Sequence, residues 1–399
     1  MNSTKSQLFF TLLIGALSLT ALVARAEDWP QWRGANRLGI STESTWSVGR
    51  GTPPKTWQAS VGEGFSSVAV VRGKLYTMGN VGGKDWVHCL NADTGRVIWQ
   101  KTYSCPSGGD YSGPRCTPTV DGDKVYTLSR DGQAFCFSAD KGAILWKANI
   151  AQLANANEPQ WGFASSPLID GGVAIYNVSS AGVALDKNTG RVVWKSPSGD
   201  SGYSSPLPHN LGGVHGVVLF TAQGVISVDP RNGAKQWGHP WNTQFNVNSA
   251  DPIITGNNVF ISSGYGKGCA LLNVVGGRAS VVYQNRNMRN HFHTCLLLDG
   301  YLYGNDDGRL KCIELRTGRV MWEQGGIGKG GLMMADRKII ALTEQGELIV
   351  ANANPNQFQV VARGKVLEGE CWTYPVLANG KLYCRSHEGT LICLDVRRR

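Results

Sequence analysis

The side chains best suited to chemistry stand singly along this sequence. His291 and His293 are two residues apart, a spacing that on a strand puts both on one face, where a pair could hold a metal ion. No third His or Cys lies near them in sequence, so they read as hydrogen-bonding histidines and no metal site is assigned. Asp306-Asp307-Gly308 is acidic but lacks the further oxygen ligands of a calcium loop, and reads as a hairpin turn. The 10 cysteines include no Cys-x-x-Cys, which removes structural zinc and covalent haem. Cys105 and Cys116 flank one loop, and a local disulfide between them is left open. Neither a nucleophile elbow nor a phosphate-cradling glycine loop ahead of a helix is present, so hydrolase and nucleotide chemistry are poor readings. No catalytic residue is assigned. Trp161 or Trp372 could stack on an anionic or planar ligand and Arg115, Arg289 and Lys329 could pair with carboxylates, or these side chains simply cap strands and fill a channel with hydrogen bonds.

The elements that must position these residues follow from an internal repeat. Cys89–Trp99 reads Cys-Leu-Asn-Ala-Asp-Thr-Gly-Arg-Val-Ile-Trp and recurs at Cys136–Trp146, Ala184–Trp194, Ser227–Trp237 and Cys312–Trp322. Weaker copies run over Leu271–Val281 and Val350–Val360. The turn position holds Gly95, Gly142, Gly190, Gly233, Gly277 and Gly318, with Asn356 in the seventh copy. Gly and Asn accept φ > 0 most cheaply, so a left-handed turn is expected at all seven. Upstream of each copy lies a second hairpin, marked by Ser/Thr-Pro, apolar residues, Gly and an aromatic, as in Thr117-Pro118 to Tyr126. Four short strands in about 40 residues make a propeller blade. An eighth copy starts at Glu370 and stops before its last strand, with Arg399 at the turn position, while Lys55-Thr56-Trp57-Gln58 is a matching strand without a blade. The expectation is an all-β, eight-bladed propeller with four-stranded antiparallel blades, closed by the N-terminal strand. The six Trp at the repeat's end are expected to wedge between blades. Cys89, Cys136, Cys312 and Cys393 share one small buried position, too far apart from blade to blade for a disulfide.

In such a ring the loops leading into the innermost strands form one mouth of the channel. Those loops carry Glu63, Phe65, Tyr111, Arg115, Glu158, Trp161, Asp200, Tyr203, Asn246, Asn248, Asp251, Arg289, Asn290, His291, His293, Lys329, Glu370 and Trp372. Polar, charged and aromatic residues gather there in a chain that is only 17% charged. Trp161, Arg289, Asn290, His291, Lys329, Glu370 and Trp372 are the candidate ligand-binding residues.

Composition agrees with the array. Gly makes up 51 of 399 residues, well above the usual ~7%. A basic n-region at Lys5, the apolar run Leu8 to Val23 and Ala24-Arg25-Ala26 read as a secretory signal peptide over residues 1–26. Residues 27–52 are expected to pack as an extension on the propeller of residues 53–399. No second run is long enough to span a bilayer. The net charge of +10 comes from dispersed basic residues, which argues against nucleic acid. The expected function is that of a binding or scaffold protein of the bacterial cell envelope, a monomer in the periplasm or envelope with an envelope protein or a small anionic or planar molecule as partner.

The repeated Asp/Asn-x-x-Thr-Gly-Arg-x-x-Trp unit resembles the tryptophan-docking motif of quinoprotein-type propellers. That group contains the pyrroloquinoline quinone (PQQ) alcohol dehydrogenases and the propeller lipoprotein of the outer-membrane assembly machine. Asp28-Trp29-Pro30-Gln31-Trp32-Arg33-Gly34, Trp161 to Pro167, Ser262-Ser263-Gly264-Tyr265-Gly266, Arg289-Asn290-His291-Phe292 and Glu370-Cys371-Trp372-Thr373 look like secreted PQQ-like repeat proteins. The resemblance implies two further functions: PQQ-dependent oxidation of an alcohol or sugar, and scaffolding of outer-membrane assembly. The quinone would need calcium on hard oxygens and a carboxylate base, for which Asn290, Asp251, Glu158 and Glu370 are available. Two departures stand against direct transfer. No two Cys are adjacent, as they are beneath the quinone in many of those enzymes, and Glu27 stands where the lipoprotein carries its lipid-bearing Cys.

Overall fold

The computed structural model describes residues 27–49, 51–106 and 111–398. The expected leader and Arg399 lie outside the described residues. The chain forms eight sheets in a ring, seven of four strands and one of five. In chain order the innermost strands are Ala69–Val71, Thr119–Asp121, Leu168–Asp170, Leu207–Leu211, Ile253–Thr255, Leu296–Leu298, Gly331–Ala335 and Val376–Ala378. We number the blades one to eight in that order. The fourth strand of blade eight is Lys55–Ser60, paired antiparallel with Thr390–Asp395 so that Trp57 faces Cys393. One five-residue helix, Ile150–Ala154, interrupts the β architecture between blades two and three.

The first and last residues of the strong repeats are cross-strand partners, and this explains the residue types. Cys89 lies between Tyr76 and Trp99, Cys136 between Tyr126 and Trp146, Cys312 between Tyr303 and Trp322, and Cys393 between Tyr383 and Trp57. In all four rows the Tyr and Trp ring centroids are 6.0 Å apart. A small side chain in the middle lets the two flanking rings meet across it.

Each ring then docks on the next blade. Trp57 Nε1 donates to Ala92 O at 3.1 Å, Trp99 to Ala139 O at 3.0 Å and Trp146 to Lys187 O at 2.9 Å. Trp194 reaches Pro230 O at 2.7 Å and Trp322 reaches Asn354 O at 2.8 Å. The turn glycines are required by these rings as well as by φ. A Cβ on Gly95, Gly142, Gly190 or Gly233 would lie within 2.7 Å of the docked Trp ring.

The structure corrects the two weak copies. Leu271 pairs with Tyr283 and Val350 with Ala362, each two residues beyond the repeat's expected end. In blade five the hairpin runs on to the two-residue turn Gly276-Gly277, and in blade seven pairing runs on to Asn352 and Gln359, so the last strand is shifted by two residues. Tyr283 therefore takes the ring position of blade five and its hydroxyl donates to Leu315 O at 2.9 Å. Asn356 is not left-handed, since the shifted pairing moves it out of the equivalent turn position. Blade seven ends in Ala362 and brings no ring to blade eight. At that junction the buried ring is Trp46, bridged to Arg397 and lying beneath Lys338 of blade seven.

Trp46 belongs to an N-terminal segment that touches every blade. Trp29 bonds Val70 in blade one, and Pro30 O accepts from Val120 N in blade two. The Arg37 guanidinium donates to Pro167 O and Pro206 O, leading into blades three and four. Trp32 bonds Asp251 ahead of blade five, and Arg33 donates to Thr294 O and Cys295 O ahead of blade six. Ile40–Ser41 adds a parallel strand to Gly331–Ala335 in blade seven. Glu43 accepts from the backbone N–H groups of Asn379 and Gly380 in blade eight. The segment closes the channel on the side away from the mouth loops.

Candidate functional site

The mouth loops surround a cavity of about 220 Å³. Because the N-terminal segment fills the channel beneath it, the cavity is a cup. Trp32, Asp251 and Tyr374 are at its base, with Ser166, Ser205 and Thr373 around them. Trp32 Nε1 donates to Asp251 Oδ2 at 2.6 Å and Ser205 N donates to Oδ1 at 2.8 Å. Burial pushes the Asp251 carboxyl above its ordinary range, against the opposing pull of Arg33.

Above the base the wall is mostly aromatic. Ring centroids follow one another from Tyr203 to Trp161 (6.1 Å), Phe245 (5.9 Å), Tyr265 (5.6 Å), His291 (4.8 Å), Phe292 (4.9 Å) and Trp372 (5.4 Å). Tyr111 and Phe65 continue the series from Trp372 at 5.3 and 5.7 Å. The remaining gap, between Tyr111 and Trp161, is occupied by arginine. Arg115 is anchored by the carbonyls of Gly113 and Tyr111, and its guanidinium lies 5.4 Å from the Phe65 ring centroid. Lys329 Nζ lies 4.2 Å from the Trp372 centroid. Neither cation has a carboxylate partner among the described residues. Burial lowers the Arg115 guanidinium to about 10, which still leaves it charged at neutral pH.

Trp372 is held by a 2.8 Å bond from its Nε1 to Glu344. His293 Nε2 donates to Trp372 O at 2.8 Å. Burial lowers His293 to about 3 and His291 to about 4, with Lys329 adding to the effect on His291. Both are therefore neutral at pH 7.

Of the candidate residues, Trp161, His291, Lys329 and Trp372 line the cup, and Arg289, Asn290 and Glu370 do not. Arg289 turns away to form a two-pronged pair with buried Asp306 at 2.9 and 3.0 Å, because Asp306 ends a neighbouring strand in the same blade. Asn290 is buried and bonds Asn305 O at 2.9 Å. Glu370 packs beside Glu388 and His387 outside the wall. His291 and His293 lie in a loop and not on a strand, yet both face the cavity. Asp307 and Gly308 make the expected hairpin turn, with φ of 51° and 92°. All ten cysteines are buried free thiols, so Cys105 and Cys116 are not bonded. Trp32, Tyr265, Phe292 and Tyr374 also line the cup and lie outside the candidate set; Trp32, Tyr265 and Phe292 fall within family-like stretches, the signal that could have found them.

Among the described residues no three His, Cys, Asp or Glu side chains form a metal-binding group. Asp251, the only carboxylate on the wall among the described residues, already has both oxygens bonded. Calcium takes six to eight oxygens, so the cup does not fit a calcium–quinone pair. Rings and two cations with no carboxylate partner among the described residues suit a flat anion.

The family model described as "Outer membrane protein assembly factor BamB" matches residues 41–149 and 83–324. The chain belongs to this family. It is 24% identical to the BamB outer membrane protein assembly factor of Yersinia pestis, over 74% of this chain and 77% of that one. It is also 24% identical to a tetrathionate hydrolase of Acidithiobacillus ferrooxidans, over 54% of this chain and 44% of that one. Among solved structures, BamB from Moraxella catarrhalis superposes with a TM-score of 0.66 at 17% identity, covering 86% of this chain and 100% of that one. Quinohemoprotein alcohol dehydrogenase from Comamonas testosteroni gives 0.67 at 13% identity, covering 94% and 82%. At these identities the structural matches show the shared propeller fold.

Proposed function

We propose that this propeller is a ligand-binding protein of the bacterial cell envelope that holds a small planar anion in the cup. The supporting observation is the combination of an aromatic wall with Arg115 and Lys329, two cations with no carboxylate partner among the described residues. The envelope assignment draws on the BamB relatives and on the expected leader. The test is a calorimetric and Trp-fluorescence titration with 2-naphthoate and its uncharged amide. Naphthoate is expected to bind, the amide at least about tenfold more weakly, and Lys329→Gln to lose about tenfold, the value of one charge-assisted bond. Absence of naphthoate binding, or equal affinity in Lys329→Gln, overturns the reading. Alcohol-dependent dye reduction with added PQQ and calcium would replace it with an oxidoreductase.

The BamB relatives favour a second role, docking to other envelope proteins in outer-membrane assembly. Co-purification that survives Trp372→Ala would place that interface away from the cup; its loss would merge the two roles.

A further inference from the structure

Three residues of the rim have a backbone that their side chains disfavour. Tyr111, Phe245 and Tyr265 have φ of 63°, 59° and 52°. A bulky residue in this left-handed region is an outlier. Among the described residues the other left-handed positions are held by Gly, Asn, Asp, Arg and Ser, and no other aromatic is among them. The three come from three different loops; Tyr111 and Tyr265 line the cup, and Phe245 packs edge-on against Trp161 and Tyr265 of its wall. They are also exposed, at 40%, 48% and 41%. An exposed ring contributes little to folding, and glycine would relieve the backbone. This chain uses glycine freely at left-handed turns elsewhere. Strain kept at exposed side chains around one cavity is the pattern of a ligand clamp.

We infer that Tyr111, Phe245 and Tyr265 are specificity-determining residues that close over the outer face of the bound planar anion. The inference rests on the proposed function. Lys329 and Arg115 take the charge of the ligand, and the three rings take the part of its flat face that projects from the cup. An anion with one ring would be covered by the inner wall alone; the rim selects ligands of two or more fused rings.

The test substitutes each residue by Gly and by Ala, and Phe245 also by Tyr. Gly removes ring and strain together, Ala removes the ring only, and Tyr keeps the ring. The readouts are the melting temperature without ligand and the affinities for 2-naphthoate and for benzoate. Each Gly variant is expected to melt at or above the wild-type temperature while losing about threefold to tenfold in naphthoate affinity, the value of one aromatic contact. Benzoate affinity should stay unchanged. Ala variants should bind like the Gly variants but melt lower, and Phe245→Tyr should bind like wild type. Gly variants that bind naphthoate normally, or that melt lower, would make the rings structural and overturn the inference alone. Failure of the wild type to bind naphthoate would instead overturn the function it rests on.

Discussion

Gly142→Ala tests whether ring docking, and not turn geometry alone, holds neighbouring blades together. Gly142 has φ +65°, so any Cβ costs about 1–2 kcal/mol of backbone strain. The added carbon would also lie 2.6 Å from Cδ2 and Cε3 of Trp99, closer than atoms can pack. The ring must move, and its 3.0 Å bond to Ala139 O goes with it. An unpaired buried donor costs a further ~1–3 kcal/mol. Gly122 supplies the matched control in the same blade. Its φ is +60° and its Cβ would meet nothing within 4 Å, so Gly122→Ala carries the backbone cost alone. The two variants should therefore differ by about 1–3 kcal/mol. With a urea m-value of about 3 kcal/mol/M, the midpoint of Gly142→Ala should fall about 0.3–1 M below that of Gly122→Ala. Equilibrium unfolding followed by tryptophan fluorescence and circular dichroism measures this. Equal midpoints would mean that the docked ring adds nothing to blade cohesion.

Trp32→Phe removes the bond to the buried Asp251 carboxylate and should cost about 1.5–3 kcal/mol in urea unfolding; an unchanged midpoint would show that the base of the cup does not depend on it. His88, His209 and His291 are lowered to about 4 and His293 to about 3, mainly by burial. A base whose folded pKa is depressed loses stability as pH falls from its ordinary 6.5 toward the folded value. Stability should therefore drop below pH 6.5, by up to ~5 kcal/mol per pH unit for all four. Asp85, raised to about 6, offsets part of this below pH 6. Urea midpoints that are flat between pH 7 and pH 5 would contradict the assignment. Ellman's reagent should titrate ten thiols in the unreduced, unfolded protein, and the buried thiols should react slowly in the folded one. Eight titratable thiols would reveal a disulfide.

Most of the propeller was legible because it repeats. Trp at a fixed distance from Cys, Ala or Ser encodes one cross-strand contact many times over, and a local pattern of that kind survives without knowledge of the whole. The two copies with extended hairpins defeat a fixed-length alignment because the hairpin length varies from blade to blade. Tyr283 keeps the ring contact from a shifted position. The mouth was half legible. Trp161, His291, Lys329 and Trp372 were recovered from their loops, but a loop does not reveal which way its side chain turns. Arg289 and Asn290 look as available as His291 until Asp306 and Asn305 claim them. The plug was the least legible part. Arg33 and Arg37 bind backbone carbonyls, which every residue possesses, so no sequence pattern marks their partners.

The order in which the chain is made gives that plug a temporal role. Glu43 is synthesised early, but its partner Asn379 follows 336 residues later. Until then the segment has only a partial ring to close. Lys55–Ser60 likewise waits for Thr390–Asp395. Blades can form one after another from local contacts, whereas both closures must come last and span nearly the whole chain. Such long-range pairing is slow to form. The segment thus resembles a completion latch: its seat is whole only when every blade is in place, and its last contacts, at Asn379 and Gly380, close the series.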